Sequence, residues 1–153
     1  MFVSVALSTE RITFISANPF SFQDIITNLD NQESQEVFGI LKFPDNYLQE
    51  KKYPLIIGVA GSLDWGEHHY KYLEMYRNLG IATFELNSFK SRGVKSTVGS
   101  QIEVTTAMII LDVYKAFEVL ENHPNINKNK VGLTGWSLGG AVTLFSGWKP
   151  LKK

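Results

Sequence analysis

The sequence predicts an α/β fold, a three-layer sandwich with a mainly parallel sheet and right-handed crossovers. Three observations carry this. From residue 53 onward, short apolar runs alternate with stretches of helical spacing. One run, Pro54–Ala60 (PLIIGVA), is continuously apolar, as a strand buried on both faces must be. A glycine-rich turn, Gly135–Gly139, joins the last apolar run directly to the last helical stretch. The chain reads as a single α/β domain over residues 1–153. Residues 1–52 form a β-rich part, and residues 53–153 form a βαβαβα part.

Each element follows from its pattern. Met1–Leu7 is apolar but has no basic lead-in. A secretory signal is therefore weakly indicated, and a disordered or strand-forming start is expected. Glu10–Ser16 alternates as a strand does, and Asn18-Pro19 breaks it. Ser21–Leu29 places Phe22, Ile25, Ile26 and Leu29 on one helical face. Asn28–Gln35 is polar and reads as a loop. Glu36–Phe43 is a strand stopped by Pro44-Asp45. Glu67–Leu79 has helical spacing at His69, Tyr72, Leu73, Tyr76 and Leu79, and Gly80 stands where a left-handed cap belongs. Ile81–Leu86 is the next strand, and Asn87–Gly99 reads as a long loop. Ser100 with Glu103 predicts a capping box and a helix starting there, with a stripe from Val104 to Leu120. Pro124 ends it. Lys130–Thr134 is the last strand, and Leu138–Trp148 the last helix.

Composition narrows the function. The chain has 153 residues, with 15 Lys+Arg against 15 Asp+Glu and no Cys. Balanced charge gives no broad basic footprint for nucleic acid or an anionic membrane. No apolar run approaches the ~20 residues of a membrane-spanning helix. Without Cys there is no disulfide, no thiolate nucleophile and no Cys-based metal site. His68, His69 and His123 lack ligand spacing, so neither a metal nor a cofactor is expected. The terminus decides between neither a cytoplasmic nor an exported location.

The chemistry sits at Gly135-Trp136-Ser137-Leu138-Gly139, a match to G-x-S-x-G. Alone, the pattern is weak. Here it follows a strand and opens a helix, which is the setting of a nucleophile elbow. Such a turn lifts the Ser137 hydroxyl above the sheet edge on a strained backbone. Gly135 and Gly139 remove side chains that would collide where strand and helix pack, and Gly140 extends that contact. The Leu138 N–H, at the helix start, points to where an oxyanion would form. The loop Ala60-Gly61-Ser62 offers the Ser62 N–H as second donor, with Gly61 permitting the turn. The bland alternative is a glycine-rich βα turn with an incidental serine. A Walker-type phosphate loop is disfavoured, because its lysine is absent.

Several segments together resemble the α/β-hydrolases, specifically the dienelactone-hydrolase-like group in its serine-nucleophile branch. They are ITFISANPFSFQDII, EVFGILKFP, KKYPLIIGVAGS, GIATFELNSFKSRGV and DVYKAFEVLENHPNINKNKVGLTGWSLGG, in that order. The resemblance implies esterase-like attack on a small ester or lactone through an acyl-enzyme on Ser137. The sequence departs from the group at Ala60, where a His is usual, and at Asn87, where an Asp is common. The archetypal members use Cys, and this chain has Ser137.

In that fold the acid and the His follow the nucleophile. The residues after Ser137, LGGAVTLFSGWKPLKK, contain no Asp, Glu or His. The sequence therefore reads as the N-terminal portion of a hydrolase, lacking the C-terminal strands. The competing reading is a non-catalytic α/β domain that serves as a binding or assembly partner. His68 and His69 read as polar residues in the first turn of a surface helix, and His123 as remote from Ser137. Arg92 suits either an anionic substrate or a loop-bracing salt bridge. Trp65 and Tyr70 suit a pocket wall or simple packing. The open sheet edge is expected to favour a homodimer.

Overall fold

The computed structural model describes residues 8–151. The expectation for Met1–Leu7 lies outside the described residues. The chain runs β1 (Thr9–Ala17), α1 (Phe22–Thr27), β2 (Ser34–Lys42), β3 (Tyr53–Val59), α2 (Glu67–Asn78), β4 (Ala82–Leu86), α3 (Ser88–Ser91), α4 (Thr106–Leu120), β5 (Ile126–Gly135) and α5 (Leu138–Phe145). Short 3-10 turns occupy Leu29–Asn31 and Lys149–Leu151.

The five strands form one sheet in the order β1-β2-β4-β3-β5. β4, β3 and β5 are parallel, and the hairpin of β1 and β2 joins antiparallel through β2 and β4. The parallel part is the part that the alternating pattern predicts. Leu55, Ile57, Val59, Ala82, Phe84 and Leu86 are all nearly inaccessible. Strand residues alternate between faces. Gly58 faces α2, where an added Cβ would lie 3.2 Å from Leu73. Ile57 faces α4, sharing a groove with Val113 and Phe117. Helices therefore cover both faces, and the loops after β3, β4 and β5 share the carboxyl rim.

Helix boundaries show what the pattern misses. The Ser100–Glu103 capping box is not formed; α4 begins five residues after its predicted start. Thr105 is the cap: its hydroxyl accepts the Met108 N–H at 3.2 Å and donates to the Pro19 carbonyl at 3.0 Å. The adjacent Val104 is fully buried. A cap fixed to the core outcompetes one left in solvent. At Gly80 the expected left-handed cap is present, with φ 81°. The predicted long loop after β4 contains the single turn α3, where the Ser91 hydroxyl donates to the Asn87 carbonyl at 2.6 Å. The last helix stops at Phe145, where the Ser146 hydroxyl takes the Val142 carbonyl at 2.7 Å. β5 is longer than predicted and bulged: Tyr53 pairs with Ile126, but Leu55 pairs with Val131.

One buried ion pair ties the halves together. Arg92 and Asp112 have side chains 5% and 0% exposed and meet at 2.6 and 3.0 Å in a two-pronged contact. Arg92 also donates to Asn18 Oδ1 at 2.8 Å and to the Ala17 and Ser88 carbonyls. It braces the rim loop against β1 and α4, and none of these partners leaves it facing a substrate.

Candidate active site

The elbow is built by close backbone packing. Ser137 holds φ 52° and ψ −114°, and its residue is exposed. That conformation falls outside the regions open to L-residues. Around it, the Trp136 N–H donates to the Val59 carbonyl at 3.2 Å. The Gly139 N–H turns back to the Trp136 carbonyl at 2.9 Å. A Cβ on Gly139 would collide with the Val59 carbonyl and lie 2.6 Å from that of Ala60. A Cβ on Gly135 would collide with the Gly139 carbonyl. These two glycines let α5 start directly against β3 and β5. Gly140 is different: a Cβ there meets nothing closer than 3.6 Å, so the contact does not require glycine.

The loop after β3 abuts this turn. A Cβ on Gly61 would lie 3.3 Å from the Trp136 carbonyl and 3.4 Å from Ser137 Cβ. Gly61 thus serves close approach, while the left-handed residue of this loop is Asp64, at φ 63°. The Asp64 N–H closes the turn onto the Gly61 carbonyl at 3.0 Å. Ser62 sits beside the elbow, and its carbonyl is held by the Thr97 N–H at 2.9 Å and the Ser96 hydroxyl at 3.1 Å. Among the described residues, neither the Ser62 N–H nor the Leu138 N–H donates to a backbone carbonyl.

The histidines divide. His69 is 4% exposed, in the first turn of α2 and on the stripe that its spacing with Leu73 predicts. Its Nδ1 accepts the Gly66 N–H at 3.0 Å, which caps α2. Its ring lies 4.7 Å from that of Trp136. Burial lowers its pKa below 6.5, and the neighbouring His68 adds to this. His68 is exposed, and its ring lies tilted against that of His69 with centroids 3.8 Å apart. His123, at the opposite end of β5, is committed to Glu10 at 3.2 Å through Nε2 and to the Asn125 N–H at 3.2 Å through Nδ1. Among the described residues, no histidine bonds to the Ser137 hydroxyl. Trp65 packs rather than lining a pocket: Nε1 donates to the Leu86 carbonyl at 2.9 Å. Tyr70 stacks on it at 5.6 Å. Sequence reasoning missed the joining of His69, Trp65 and Tyr72 around Trp136, since no local pattern links the elbow to α2.

No group of three or more His, Cys, Asp or Glu side chains among the described residues could hold a metal ion. No helix among them is long and apolar enough to cross a membrane.

Solved structures share this fold. A dienelactone hydrolase-like promiscuous phosphotriesterase, P91, from metagenomic libraries matches at 13% identity with a TM-score of 0.61, over 89% of this chain and 53% of that one. This chain shares the α/β-hydrolase fold. Est1E from Butyrivibrio proteoclasticus, solved with ferulic acid bound, matches at 19% identity and a TM-score of 0.60, over 73% of this chain and 43% of that one. A complex of DcsB with its substrate analogue matches at 15% and 0.61, over 91% and 40%. The chain spans about half the length of the first of these, and less of the other two. No family model and no curated protein matches the sequence.

Proposed function

We propose that the chain carries the nucleophile half of a serine hydrolase acting on ester or lactone bonds. Ser137 attacks the carbonyl carbon as its hydroxyl proton passes to a base, and the Leu138 and Ser62 N–H groups hold the resulting oxyanion. Collapse of that intermediate expels the alkoxide and leaves an acyl-enzyme, which water then hydrolyses. The acid and the base come from outside the described residues. One observation carries the reading: an exposed serine held at φ 52°, ψ −114° between a strand and a helix. Strain of this kind persists only where packing enforces it and collects at functional sites. The abutting Gly61-Ser62 loop and the fold shared with esterases support it.

The test is labelling with a fluorophosphonate, followed by peptide mapping. The expected result is a covalent adduct on Ser137, slower than in a complete triad and absent in Ser137→Ala. Modification spread over other serines, or none at Ser137, overturns the reading. The second reading, a non-catalytic domain, is favoured by the lack, among the described residues, of any histidine bonded to Ser137.

A further inference from the structure

We propose that Asp64 is a positioning residue of the site: its left-handed backbone, not its carboxylate, sets the direction of the Ser62 N–H. The inference rests on the reading of Ser62 as an oxyanion donor and adds the residue that aims it.

Gly61-Ser62-Leu63-Asp64 is a β-turn, closed by the Asp64 N–H on the Gly61 carbonyl at 3.0 Å. That carbonyl and the Ser62 N–H belong to one peptide unit. The unit is trans and planar, so its two polar groups point in opposite directions. Whatever holds the Gly61 carbonyl therefore aims the Ser62 N–H. The next peptide unit is held as well, since the Ser62 carbonyl accepts the Thr97 N–H at 2.9 Å and the Ser96 hydroxyl at 3.1 Å.

Asp64 stands between two fixed points. On one side Gly61 lies against the elbow, where a Cβ would sit 3.3 Å from the Trp136 carbonyl. On the other, the Trp65 indole donates to the Leu86 carbonyl at 2.9 Å. The chain joins them with Asp64 at φ 63°, a region that Asp and Asn tolerate and β-branched residues resist. A residue that resists this angle must release either the indole or the turn. The indole packs against His69, Tyr70 and Trp136, whereas one hydrogen bond closes the turn. The turn gives way, and the Ser62 N–H swings with it. The carboxylate does less. Its Oδ2 comes only within 3.8 Å of Lys90, and its buried Oδ1 has no hydrogen-bond partner among the described residues.

Two readouts test this. The first is fluorophosphonate labelling of Ser137 at a fixed alkaline pH, resolved into a saturating rate and a half-saturating concentration. Asp64→Val is expected to lower the saturating rate about tenfold or more, towards the ~10²–10³-fold lost with an oxyanion donor, and to leave the half-saturating concentration unchanged. Asp64→Asn and Asp64→Gly keep the left-handed backbone without the charge and are expected to label like wild type. The second readout is the residual dipolar coupling of the Ser62 N–H in weakly aligned protein, which reads its direction without any chemistry at Ser137. It should change in Asp64→Val and hold in Asp64→Asn and Asp64→Gly, while the couplings of β3 hold in all three. Should Asp64→Val fold poorly, Asp64→Ala is the milder substitute, with the same signs expected. Asp64→Asn labelling as slowly as Asp64→Val overturns the proposal, because the carboxylate would then be at work. Asp64→Val labelling like wild type, or showing an unmoved Ser62 coupling, also overturns it. A wild type that does not label at Ser137 overturns the nucleophile reading instead, and the coupling alone then decides whether Asp64 aims Ser62.

Discussion

Replacing Ser137 with glycine should make the protein more stable while removing the hydroxyl that a fluorophosphonate would label. The residue is held at φ 52°, ψ −114°. A side chain there costs about 1–3 kcal/mol, and glycine bears no such cost. Glycine also loosens the unfolded chain, which offsets about 0.4–1 kcal/mol. The mid-range net gain is about 1 kcal/mol. In a chain of this size each kcal/mol moves the melting temperature by about 2–4 °C. The comparison is Ser137→Ala, which keeps the Cβ and hence the strain, and should stay within about 0.5 kcal/mol of wild type. Urea unfolding at constant slope and thermal melting measure both variants. Equal or lower stability for Ser137→Gly relative to Ser137→Ala would refute the claim that the elbow stores strain.

Other substitutions probe the supports of the site. Gly139→Ala drives a Cβ into the Val59 carbonyl and should cost about 3 kcal/mol or prevent folding, whereas Gly140→Ala should be nearly neutral; urea midpoints distinguish them. Arg92→Ala leaves Asp112 buried and unpaired and should cost about 3–5 kcal/mol, read from the same curves. His69 gives a pH signature. Its folded pKa lies below 6.5, so its contribution is complete above that pH and is lost as pH falls through the depressed folded value. His69→Asn keeps an acceptor for the Gly66 N–H but does not titrate, so its unfolding free energy should vary less below pH 6.5 than that of wild type.

The sequence shows those parts of the fold in which a local pattern and a tertiary demand agree. Pro54–Ala60 is apolar because β3 lies inside the sheet between β4 and β5, and Gly80 is glycine because its φ is 81°. G-x-S-x-G is legible because both glycines answer backbone collisions, Gly135 with the Gly139 carbonyl inside the turn and Gly139 with the Val59 and Ala60 carbonyls of β3. Where a distant contact decides, the pattern misleads. The Ser100–Glu103 box loses to Thr105, whose hydroxyl is fixed by Pro19, 86 positions earlier. The spacing puts His69 on the stripe of α2, but nothing local shows that Trp136 and Trp65 close over it. Arg92 leaves two readings open because its partner Asp112 lies on another helix.

These contacts also separate two things that hydrolase chemistry joins, the geometry of the nucleophile and its activation. The elbow is enforced by Gly61, Gly135 and Gly139 against backbone carbonyls, all within the described residues. No base takes part in holding it. The Nδ1 of His69 is occupied by Gly66, and both nitrogens of His123 are occupied by Glu10 and Asn125. The rate of fluorophosphonate labelling at Ser137 should therefore climb with hydroxide, without levelling off across the ordinary histidine range. A complete triad would show a plateau above the pKa of its imidazole. A plateau in this chain, abolished by His68→Ala, would mean that the exposed His68 reaches the hydroxyl. The separation of geometry from activation would then be wrong, because the base would lie on α2 rather than outside the described residues.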